Sequence, residues 1–534
     1  MRRFGTQGRV YPGKHYVVPR SEEINDFLQR VKEGRYIVLF APRQTGKTTF
    51  FRLALEEFVT KSSSYFPIQL NFETYINLSP SEFYDALCNR MRKEITQVIQ
   101  KRGDNPSGVL SSFLEHAKIT NHISMIDFFE QFSSALQSQY TDQKVVVIID
   151  EFDGIPQAVL RDFLHSLRDI YLSDETRCPH SVGIVGVKSI TQLNYDRSVS
   201  PFNIQDEFNL PNFTQQQVKE LLGQYTDDTG QPFSPEVIEA LHKQTAGQPF
   251  LVNRSAQILT EELDIPKNEL ITMQHFSKAH QILLRERNTN IDHLITNIRR
   301  NRRFETLLMK ITSYDSGIEF SLYNELISEL ATYGVIVESA DGMCEIVNPI
   351  YQHCIMQAFQ PLINDLEEDY FPEDTEKDFS DYLTSDGNID MAPLLDNFQS
   401  FIARVGYKIL HVPDTPKEFV GQYLLYAYLD QFVRIVGGTM YLEVQTGRGR
   451  IDLLILHNAQ KYIVETKIWE NDRRHQAGKR QLAAYLKSEG AIEGYYVVFD
   501  HRQAPEPRLE TDTLDGFTLR SYVIPVVQQQ PSSL

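Results

Sequence analysis

Cysteine is scarce in this chain, and the spacing of its cysteines and histidines argues against two common structural devices. Among 534 residues there are four cysteines and fourteen histidines. No CxxC pair and no HExxH or similar spacing occurs, so the sequence predicts neither a disulfide framework nor a zinc site. We interpret the cysteines as reduced thiols of a cytoplasmic protein; they are Cys88, Cys178, Cys344 and Cys354.

The sequence also lacks the patterns of membrane-spanning and secretory segments. No uninterrupted apolar run approaches the roughly 18 residues that a membrane span needs. The N-terminal stretch MRRFGTQGRV is basic but has no apolar core of the kind a signal peptide carries. We therefore expect a cytoplasmic protein with no membrane partner.

Positive charge is outweighed, because the formal net charge is −18. This balance argues against coating of nucleic acid by the whole surface, but it leaves a local binding cleft open. Hydrophobic residues make up 41% and charged residues 23%, an ordinary globular balance that excludes global disorder. At roughly 100–200 residues per domain, the length predicts about three or four domains.

The order of apolar and helical segments predicts an α/β fold. Short apolar runs rich in β-branched residues alternate with stretches of helical spacing, as expected for buried parallel strands joined by helices. Residues 304–359 predict two helices, a hairpin turning at Asp341-Gly342 and a third helix, the order of a winged helix. We divide the chain into a first α/β core (1–213), a helical lid (214–290), a winged-helix-like domain (291–362), an acidic linker (363–392) and a second α/β domain (393–534).

A phosphate-binding loop is predicted between the first strand and the following helix, in the stretch YIVLFAPRQTGKTTF. Backbone N–H groups of residues 45–48 would face an anion at the helix N-terminus. Lys47 would reach the β- and γ-phosphates of ATP, and the Thr48 hydroxyl would join a Mg²⁺ shell. Ala41 stands where the usual pattern has its first glycine, which reduces backbone freedom at the entry to the loop.

An acidic pair provides the second half of this constellation. The stretch KVVVIIDEFD is a predicted buried strand that ends in two carboxylates. Asp150 would hold Mg²⁺ through water, and Glu151 would activate the attacking water. Adjacent acids at the end of an apolar strand have little packing rationale, so the two segments together predict ATP hydrolysis.

Residues 1 to about 360 resemble the AAA-like branch of P-loop ATPases, close to the STAND group. The resemblance rests on KHYVVPR, APRQTGKTT, VVVIIDEFD, PFNI-QDEFNL-PNFT and AGQPFLVNR, in that order. It implies a γ-phosphate sensor at Lys188 or Ser189, a lid contact at Pro249, and a homo-oligomer with a trans-acting arginine. Arg161, Arg168 and Arg177 remain open as candidates for that arginine. The predicted nucleotide contacts are Arg43, Gln44, Thr45, Gly46, Lys47, Thr48, Thr49, Asp150, Lys188 and Pro249, with Thr48 and Asp150 at the metal.

A second candidate site lies on two predicted strands of the C-terminal domain, RIDLLIL and KYIVETK. Asp452 lies on the first strand, and Glu465 and Lys467 face the same side of the second because strand side chains alternate. Two carboxylates and the Thr466 carbonyl could hold Mg²⁺, while the lysine orients water or stabilises developing charge. A surface ion pair on an edge hairpin is the alternative interpretation.

Residues 393–534 resemble the PD-(D/E)XK nuclease fold. GRGRID leads up to the first acid, Asp452, which is its last residue. The helix KRQLAAYL carries Gln481 and Tyr485 at the Q-x-x-x-Y spacing of that superfamily, before the strand YYVVFD. The resemblance implies a restriction-endonuclease-like domain in which Gln481 assists Asp452, Glu465 and Lys467. Further candidate acids are Glu418 and Glu443. Candidates for contacts to a nucleic-acid backbone are Arg448, Arg450, Arg473, Arg474, Lys479 and Arg480.

These observations predict a fusion of an ATPase with a nuclease. ATP would regulate or power a Mg²⁺-dependent nuclease acting on DNA, with Mn²⁺ as a possible alternative metal at the nuclease site. Prokaryotic defence systems against phage or plasmids often combine these modules, so defence is the favoured role by analogy of fold. The alternatives are an ATP-switched oligomeric scaffold whose nuclease-like domain binds without cleaving, and an ATPase of a mobile element or of repair.

Overall fold

The structure is a computed structural model that divides into two compact units. Unit 1 consists of Met1–Phe233, Gly247–Leu270 and Thr332–Gly334, and unit 2 of Ser234–Ala246, Ile271–Ala331 and Val335–Leu534. The residues that the structure describes are 2–6, 8, 10–42, 44–61, 64–173, 177–187, 204–286, 295–296, 302–312, 318–358, 370–371, 379–409, 417–446, 449–502 and 505–526.

Unit 1 is built on a parallel sheet. Its strands are β1 (Tyr36–Phe40), β2 (Tyr65–Asn71), β3 (Lys144–Asp150), β4 (Ser181–Gly186) and β5 (Gln205–Glu207). They lie in the order β2-β3-β4-β1-β5, and every neighbouring pair is parallel. Because strands β3 and β4 are buried on both faces, they consist of continuous apolar runs, which explains why the sequence located them.

Helices cover both faces of this sheet, and further helices follow it in the chain. Two buried clusters of apolar side chains, one on each face, fix the helices against the strands. In chain order the helices are α1 (Ser21–Lys32), α2 (Lys47–Lys61), α3 (Pro80–Lys101), α4 (Gly108–His116), α5 (His122–Gln137), α6 (Gln157–Ser173), α7 (Gln215–Thr229), α8 (Pro235–Thr245), α9 (Pro249–Gln257) and α10 (Met273–Arg285). Of these, α8 and α10 belong to unit 2.

Unit 2 continues with the helices and hairpin that come next in the chain. Its elements there are α11 (Arg302–Thr312), α12 (Glu325–Thr332), β6 (Ile336–Glu338), β7 (Cys344–Ile346) and α13 (Pro349–Ala358). Gly342 has φ +81° in the hairpin turn, a conformation that favours glycine. The order helix, helix, hairpin, helix is the one that the sequence predicts. The last of these helices, α13, packs against α8, α10 and α11.

The rest of unit 2 is a mixed sheet flanked by long helices. Its elements are α14 (Met391–Ile409), α15 (Lys417–Ile435), β8 (Thr439–Thr446), β9 (Gly449–His457), β10 (Gln460–Ile468), α16 (Asp472–Glu489), β11 (Glu493–Asp500), β12 (Arg508–Leu514) and β13 (Phe517–Pro525). The strand order is β12-β13-β11-β10-β9-β8. Strands β10, β11 and β13 run parallel, and the other pairs are antiparallel.

The stretch predicted as an acidic linker contributes aromatic side chains to unit 2. Phe371 stacks on Tyr428 at a centroid distance of 4.8 Å, and Phe379 lies edge-on to Phe432 at 5.7 Å. Phe371 and Phe379 are therefore held by the apolar face of α15, while residues 363–369 and 372–378 of this stretch lie outside the described residues. None of the helices in the described ranges is long and apolar enough to span a bilayer.

Candidate functional site

The loop that joins β1 to α2 is shaped by two residues with positive φ. Gln44 has φ +60° and Gly46 φ +86°, and the Ala41 N–H donates to the Gly186 carbonyl at 3.2 Å. The Ala41 methyl is buried in the core of unit 1, so alanine replaces the expected glycine at a position where a small side chain packs well. Arg43, a predicted nucleotide contact, lies outside the described residues.

The lysine of this loop is held by the carbonyls of the loop itself. Lys47 Nζ donates to the carbonyls of Ala41 and Pro42, both at 2.7 Å, and the Thr45 hydroxyl donates to Pro42 at 2.9 Å. The ammonium is buried, so its three N–H donors need acceptors such as these carbonyl oxygens. Phosphate oxygens could replace these carbonyls, which is the chemistry that the sequence predicts for Lys47.

The structure brings the two predicted Mg²⁺ residues together. Thr48 Oγ1, in the first turn of α2, donates to Asp150 Oδ2 at 2.9 Å at the end of β3. A hydroxyl and a carboxylate are hard oxygen ligands of the type that Mg²⁺ prefers, so the pair fits this cation. Gln44, Gly46 and Thr49 occupy the loop and the first turn of α2 as predicted.

Glu151 follows Asp150 in a strained backbone conformation. Its φ is +51°, and its N–H donates to Asp150 Oδ1 at 3.0 Å. Positive φ in a residue other than glycine is costly and occurs preferentially at functional sites.

Asp153 lies close by and was not predicted from the sequence. Its Oδ2 accepts the Val187 N–H at 2.6 Å at the end of β4. The sequence signal that could have pointed to Asp153 is the acidic run DEFD, of which it is the last residue.

The lid motif lies in unit 1 and meets the phosphate loop through Gln248. This residue caps α9, since its Oε1 accepts the Leu251 N–H at 2.7 Å, and its Nε2 donates to the Gln44 carbonyl at 3.4 Å. Pro249 is the first residue of α9. Gly247 must be glycine, because its φ is +68° and a Cβ there would lie 1.9 Å from the Phe213 carbonyl oxygen. Gln248 was not predicted, although it precedes Pro249 directly.

The predicted γ-phosphate sensor and the predicted trans-acting arginine both stay predictions. Lys188 and Ser189 lie outside the described residues. Arg177 donates to the Gly34 carbonyl and lies over the Tyr171 ring at 4.6 Å, so its guanidinium braces its own unit. This leaves Arg161 and Arg168, both on α6, as candidates for an arginine that acts in trans.

The C-terminal carboxylates lie side by side on strands β9 and β10. The antiparallel register pairs Val464 with Leu453, which places Glu465 opposite Asp452 on one face. Lys467 Nζ is 3.3 Å from Glu465 Oε1 and 3.9 Å from Asp452 Oδ2. Thr466 donates to Asp452 Oδ2 from its backbone N–H at 2.7 Å and from its hydroxyl at 3.0 Å. The structure thus brings Asp452, Glu465, Thr466 and Lys467 together.

Glu465 is fully buried, and its electrostatic position is unfavourable. Burial raises the pKa of Glu465, and the neighbouring Asp452 carboxylate raises it further, while Lys467 opposes both effects. Its Oε1 lies 3.3 Å from the Lys467 ammonium, a contact that offsets part of the cost of this burial. A buried anion is costly unless a cation compensates it, and here one ammonium, that of Lys467, faces two carboxylates. The carboxylate pair therefore fits an additional divalent ion. No cluster of three or more His, Cys, Asp or Glu side chains suited to a metal occurs in the described ranges.

Helices α15 and α16 frame the carboxylates. Gln422 on α15, which was not predicted, donates to the Thr466 hydroxyl at 3.2 Å. Gln481 on α16 donates to the Tyr485 hydroxyl at 2.6 Å, so the predicted Q-x-x-x-Y pair forms one bonded unit. The side chains of Glu418 and Glu443 lie outside the described residues.

The basic residues of this domain are partly engaged by acids. Lys479 is buried and pairs with Glu510 and with Asp512, the latter at 2.6 Å, so it ties α16 to the edge strand β12. Lys479, a predicted contact to a nucleic-acid backbone, is thus neutralised by two carboxylates. Arg474 pairs with Glu470, whereas Arg473 and Arg480 are exposed. Arg448 and the Arg450 side chain lie outside the described residues.

Comparison with known proteins identifies the two parts of the chain differently. A family model described as an AAA-like domain matches residues 8–356, and a domain of unknown function, DUF8371, matches residues 391–503. No curated protein matches the chain. Similar solved structures include a Walker-type ATPase, PABY2304, of Pyrococcus abyssi, with 14% identity, a TM-score of 0.46, and coverage of 66% of this chain and 99% of that one.

Two further solved structures illustrate the breadth of these matches. The RuvB Holliday junction branch migration motor of Thermotoga maritima shares 13% identity with a TM-score of 0.31, and the match covers 63% of this chain and 93% of that one. Cdc6p from Pyrobaculum aerophilum shares 13% identity with a TM-score of 0.32, and the match covers 66% of this chain and 96% of that one.

Proposed function

The chain belongs to the family of AAA-like domains, and from that premise we propose that it binds and hydrolyses ATP to control a metal-dependent nuclease in its C-terminal domain. ATP binding and hydrolysis are supported by the Thr48–Asp150 hydrogen bond next to the Lys47 ammonium. The nuclease activity is supported by the buried pair of Asp452 and Glu465 with Lys467 beside it.

In unit 1, ATP binding exchanges one set of oxygens for another at Lys47. The ammonium leaves the Ala41 and Pro42 carbonyls and donates to the phosphates instead. Thr48 and Asp150 would hold Mg²⁺, which when bound neutralises charge on the β- and γ-phosphates. Glu151 accepts the proton of the attacking water as the oxygen–phosphorus bond to the γ-phosphate forms and the bond to ADP breaks.

In unit 2, the same logic applies to a phosphodiester. Asp452 and Glu465 would hold a divalent ion, which when bound polarises the phosphate and lowers the pKa of a water ligand. The Lys467 ammonium stabilises the negative charge that develops on the phosphate as water attacks, the ester bond breaks and the leaving oxygen takes a proton. Thr466 orients Asp452 through two hydrogen bonds, and Gln422 in turn orients Thr466.

DNA is the substrate that we favour, with Mg²⁺ or Mn²⁺ as the metal and defence against phage or plasmid DNA as the cellular role. We further propose that the chain acts in the cytoplasm as a homo-oligomer, in which a neighbouring copy supplies an arginine to the ATP. The rival is an ATP-switched scaffold whose C-terminal domain binds without cleaving, and the engagement of the buried Lys479 by Glu510 and Asp512 is the observation that favours it.

One experiment separates these functions. The purified full chain is incubated with supercoiled plasmid and with linear DNA, with Mg²⁺ or Mn²⁺, and with or without ATP. The proposal predicts cleavage that needs the metal, responds to ATP and disappears in Asp452→Ala. Cleavage that persists in Asp452→Ala would place the site elsewhere, and an uncut substrate under every condition would leave the scaffold.

A further inference from the structure

The only tryptophan of the chain lies beside the candidate carboxylate site. Trp469 directly follows β10, and its N–H donates to the Phe499 carbonyl at 2.9 Å, which continues the parallel pairing with β11. Because strand side chains alternate, Trp469 shares a face with Glu465 and Lys467. At about 3.3 Å per residue, its Cα lies about 6.6 Å from that of Lys467.

Two arginines from separate segments lie over this one indole. The Arg502 guanidinium, just after β11, is 5.0 Å from the ring centroid, and that of Arg508, at the start of β12, is 4.8 Å away. Cation–π contacts of this length are attractive, and tryptophan is the best aromatic partner for them. The indole therefore holds two positive charges close together against their mutual repulsion.

Both guanidiniums reach solvent. The Arg502 side chain is 45% exposed and that of Arg508 is 32% exposed, although the indole beneath them is buried. An Arg guanidinium presents its donors in a planar fork that matches two phosphate oxygens. The pair thus offers an external anion a pre-formed surface of donors.

The two arginines differ in how firmly acids hold them. Arg502 binds the fully buried Asp500 through Nε at 2.9 Å and through Nη2 at 2.6 Å. Within the described part of the chain, Arg508 pairs with side chains that are themselves mostly exposed, Asp472 at 3.1 Å and Glu506 at 3.5 Å. Exposed ion pairs contribute little free energy, so a phosphate can displace those two acids from Arg508. Arg502 is the anchored member of the pair and Arg508 the available one.

We propose that Trp469, Arg502 and Arg508 form a phosphodiester-binding site that holds a nucleic-acid backbone next to Asp452, Glu465 and Lys467. This inference rests on the proposed function, because it assigns the strand path of the same substrate. It also accounts for the engagement of Lys479, which leaves the backbone contact to arginines from β11 and β12 rather than to α16.

The single tryptophan makes the site directly observable. A duplex DNA oligonucleotide is titrated into the full chain in the presence of a metal chelator, and Trp469 emission is recorded together with binding by anisotropy. A saturable change in emission is expected. Arg508→Ala should weaken binding about tenfold, the size of one charge-assisted hydrogen bond, and reduce the salt slope of the affinity by about 1.

Control variants separate a contact from a brace. Arg520 pairs with Glu493, lies opposite Tyr495 and therefore faces the other side of the sheet, so Arg520→Ala should leave affinity and salt slope unchanged. Removing Arg502 alone would leave the buried Asp500 carboxylate without its guanidinium partner. The double variant Asp500→Asn/Arg502→Ala removes both charges and should lose affinity as Arg508→Ala does.

The outcomes are distinct from those of the cleavage test. Equal affinity and salt slope in wild type and Arg508→Ala, with only a lower melting temperature, would make the stack a structural brace and overturn the inference. An equal emission change with inorganic phosphate at the same concentration would also overturn it, in favour of a free-anion site. If Asp452-dependent cleavage persists in Arg508→Ala with wild-type binding, only this inference fails. If Trp469 responds to DNA that is never cut, this inference stands and the nuclease proposal fails.

Discussion

Replacing Glu465 by glutamine should stabilise unit 2 when no metal is bound. The wild-type carboxylate is fully buried beside Asp452, and both effects raise its pKa above the value of an exposed glutamate. The folded state therefore binds this proton more tightly than the unfolded state does. Stability from this group is fully present below the unfolded pKa and is lost as the pH rises through the folded pKa.

The size of the effect follows from this difference. Each unit by which a pKa is raised corresponds to about 1.4 kcal/mol once the group is ionised. Glutamine keeps the shape of glutamate, carries no charge and can donate a hydrogen bond to the Asp452 carboxylate. At pH 7 we expect Glu465→Gln to raise the free energy of unfolding by at least about 1.4 kcal/mol. In a unit of this size, each kcal/mol raises the melting temperature by roughly 2–4 °C.

The assay is thermal unfolding followed by Trp469 emission, because the one tryptophan lies in unit 2. Melting temperatures are compared between pH 5 and pH 8 in a chelator, and the gap should widen as the pH rises. Burial also holds the pKa of His280 low, at about 4, but this histidine contributes equally to both proteins and cancels in the difference. Glu493→Gln, which alters a half-buried carboxylate paired with Arg520, is the matched control and should gain nothing.

A divalent metal ion should reverse the order of the two melting temperatures, so that the wild type melts above Glu465→Gln. A divalent ion bound by Asp452 and Glu465 stabilises the wild type by about 2.7 kcal/mol at one hundred times its Kd, and much less in the variant. A Glu465→Gln protein that melts below the wild type in chelator would refute the reasoning about the buried charge. An equal rise in melting temperature with Mn²⁺ in both proteins would refute the assignment of the metal ligands.

The remaining predictions concern catalysis and coupling. Lys47→Ala should abolish ATP binding because the main cationic phosphate contact is lost, whereas Glu151→Gln should bind ATP and stop hydrolysis; equal turnover in Glu151→Gln would exclude its role as base. Asp452→Ala should abolish DNA cleavage and leave ATP turnover nearly unchanged, and Lys467→Ala should lose cleavage while it still binds metal, as measured by calorimetry. ATP should change the oligomeric state or the cleavage rate, and identical light scattering and cleavage with ADP, a non-hydrolysable ATP analogue or no nucleotide would mean that the domains act independently.

Local patterns predicted those parts of the fold and of the sites that depend on neighbours in sequence. Strands β1 and β3 of unit 1 are apolar runs, so the strands predicted in the stretches YIVLF and KVVVIID coincide with them. The alternation of side chains in β10 was enough to place Glu465 and Lys467 on one face. The partnership of Thr48 with Asp150 follows from the general geometry of parallel strands, whose carboxyl ends share one edge of the sheet.

Contacts between distant segments were not predictable in this way. Nothing in the sequence of α16 shows that Lys479 is neutralised by Glu510 and Asp512, because the edge strand that carries them follows about thirty residues later and pairs by tertiary contact. The stack on Trp469 likewise joins residues after β10, after β11 and at the start of β12. A sheet order in which β13 separates β11 from β12 brings them together, and that order is not encoded by any local period.

The two candidate sites differ in how their polar groups are satisfied, and this difference has consequences. In unit 1 the Lys47 ammonium has two carbonyl partners and Asp150 accepts from Thr48 and Glu151, so these groups compensate one another within the protein. In unit 2 the single Lys467 ammonium lies beside two carboxylates, those of Asp452 and of the fully buried Glu465. Ligand binding therefore has to displace internal hydrogen bonds in the first site, whereas in the second it relieves an existing electrostatic cost. A cation should accordingly stabilise unit 2 even in the absence of DNA, while Mg²⁺ alone should change unit 1 little until ATP supplies the phosphates that Lys47 needs.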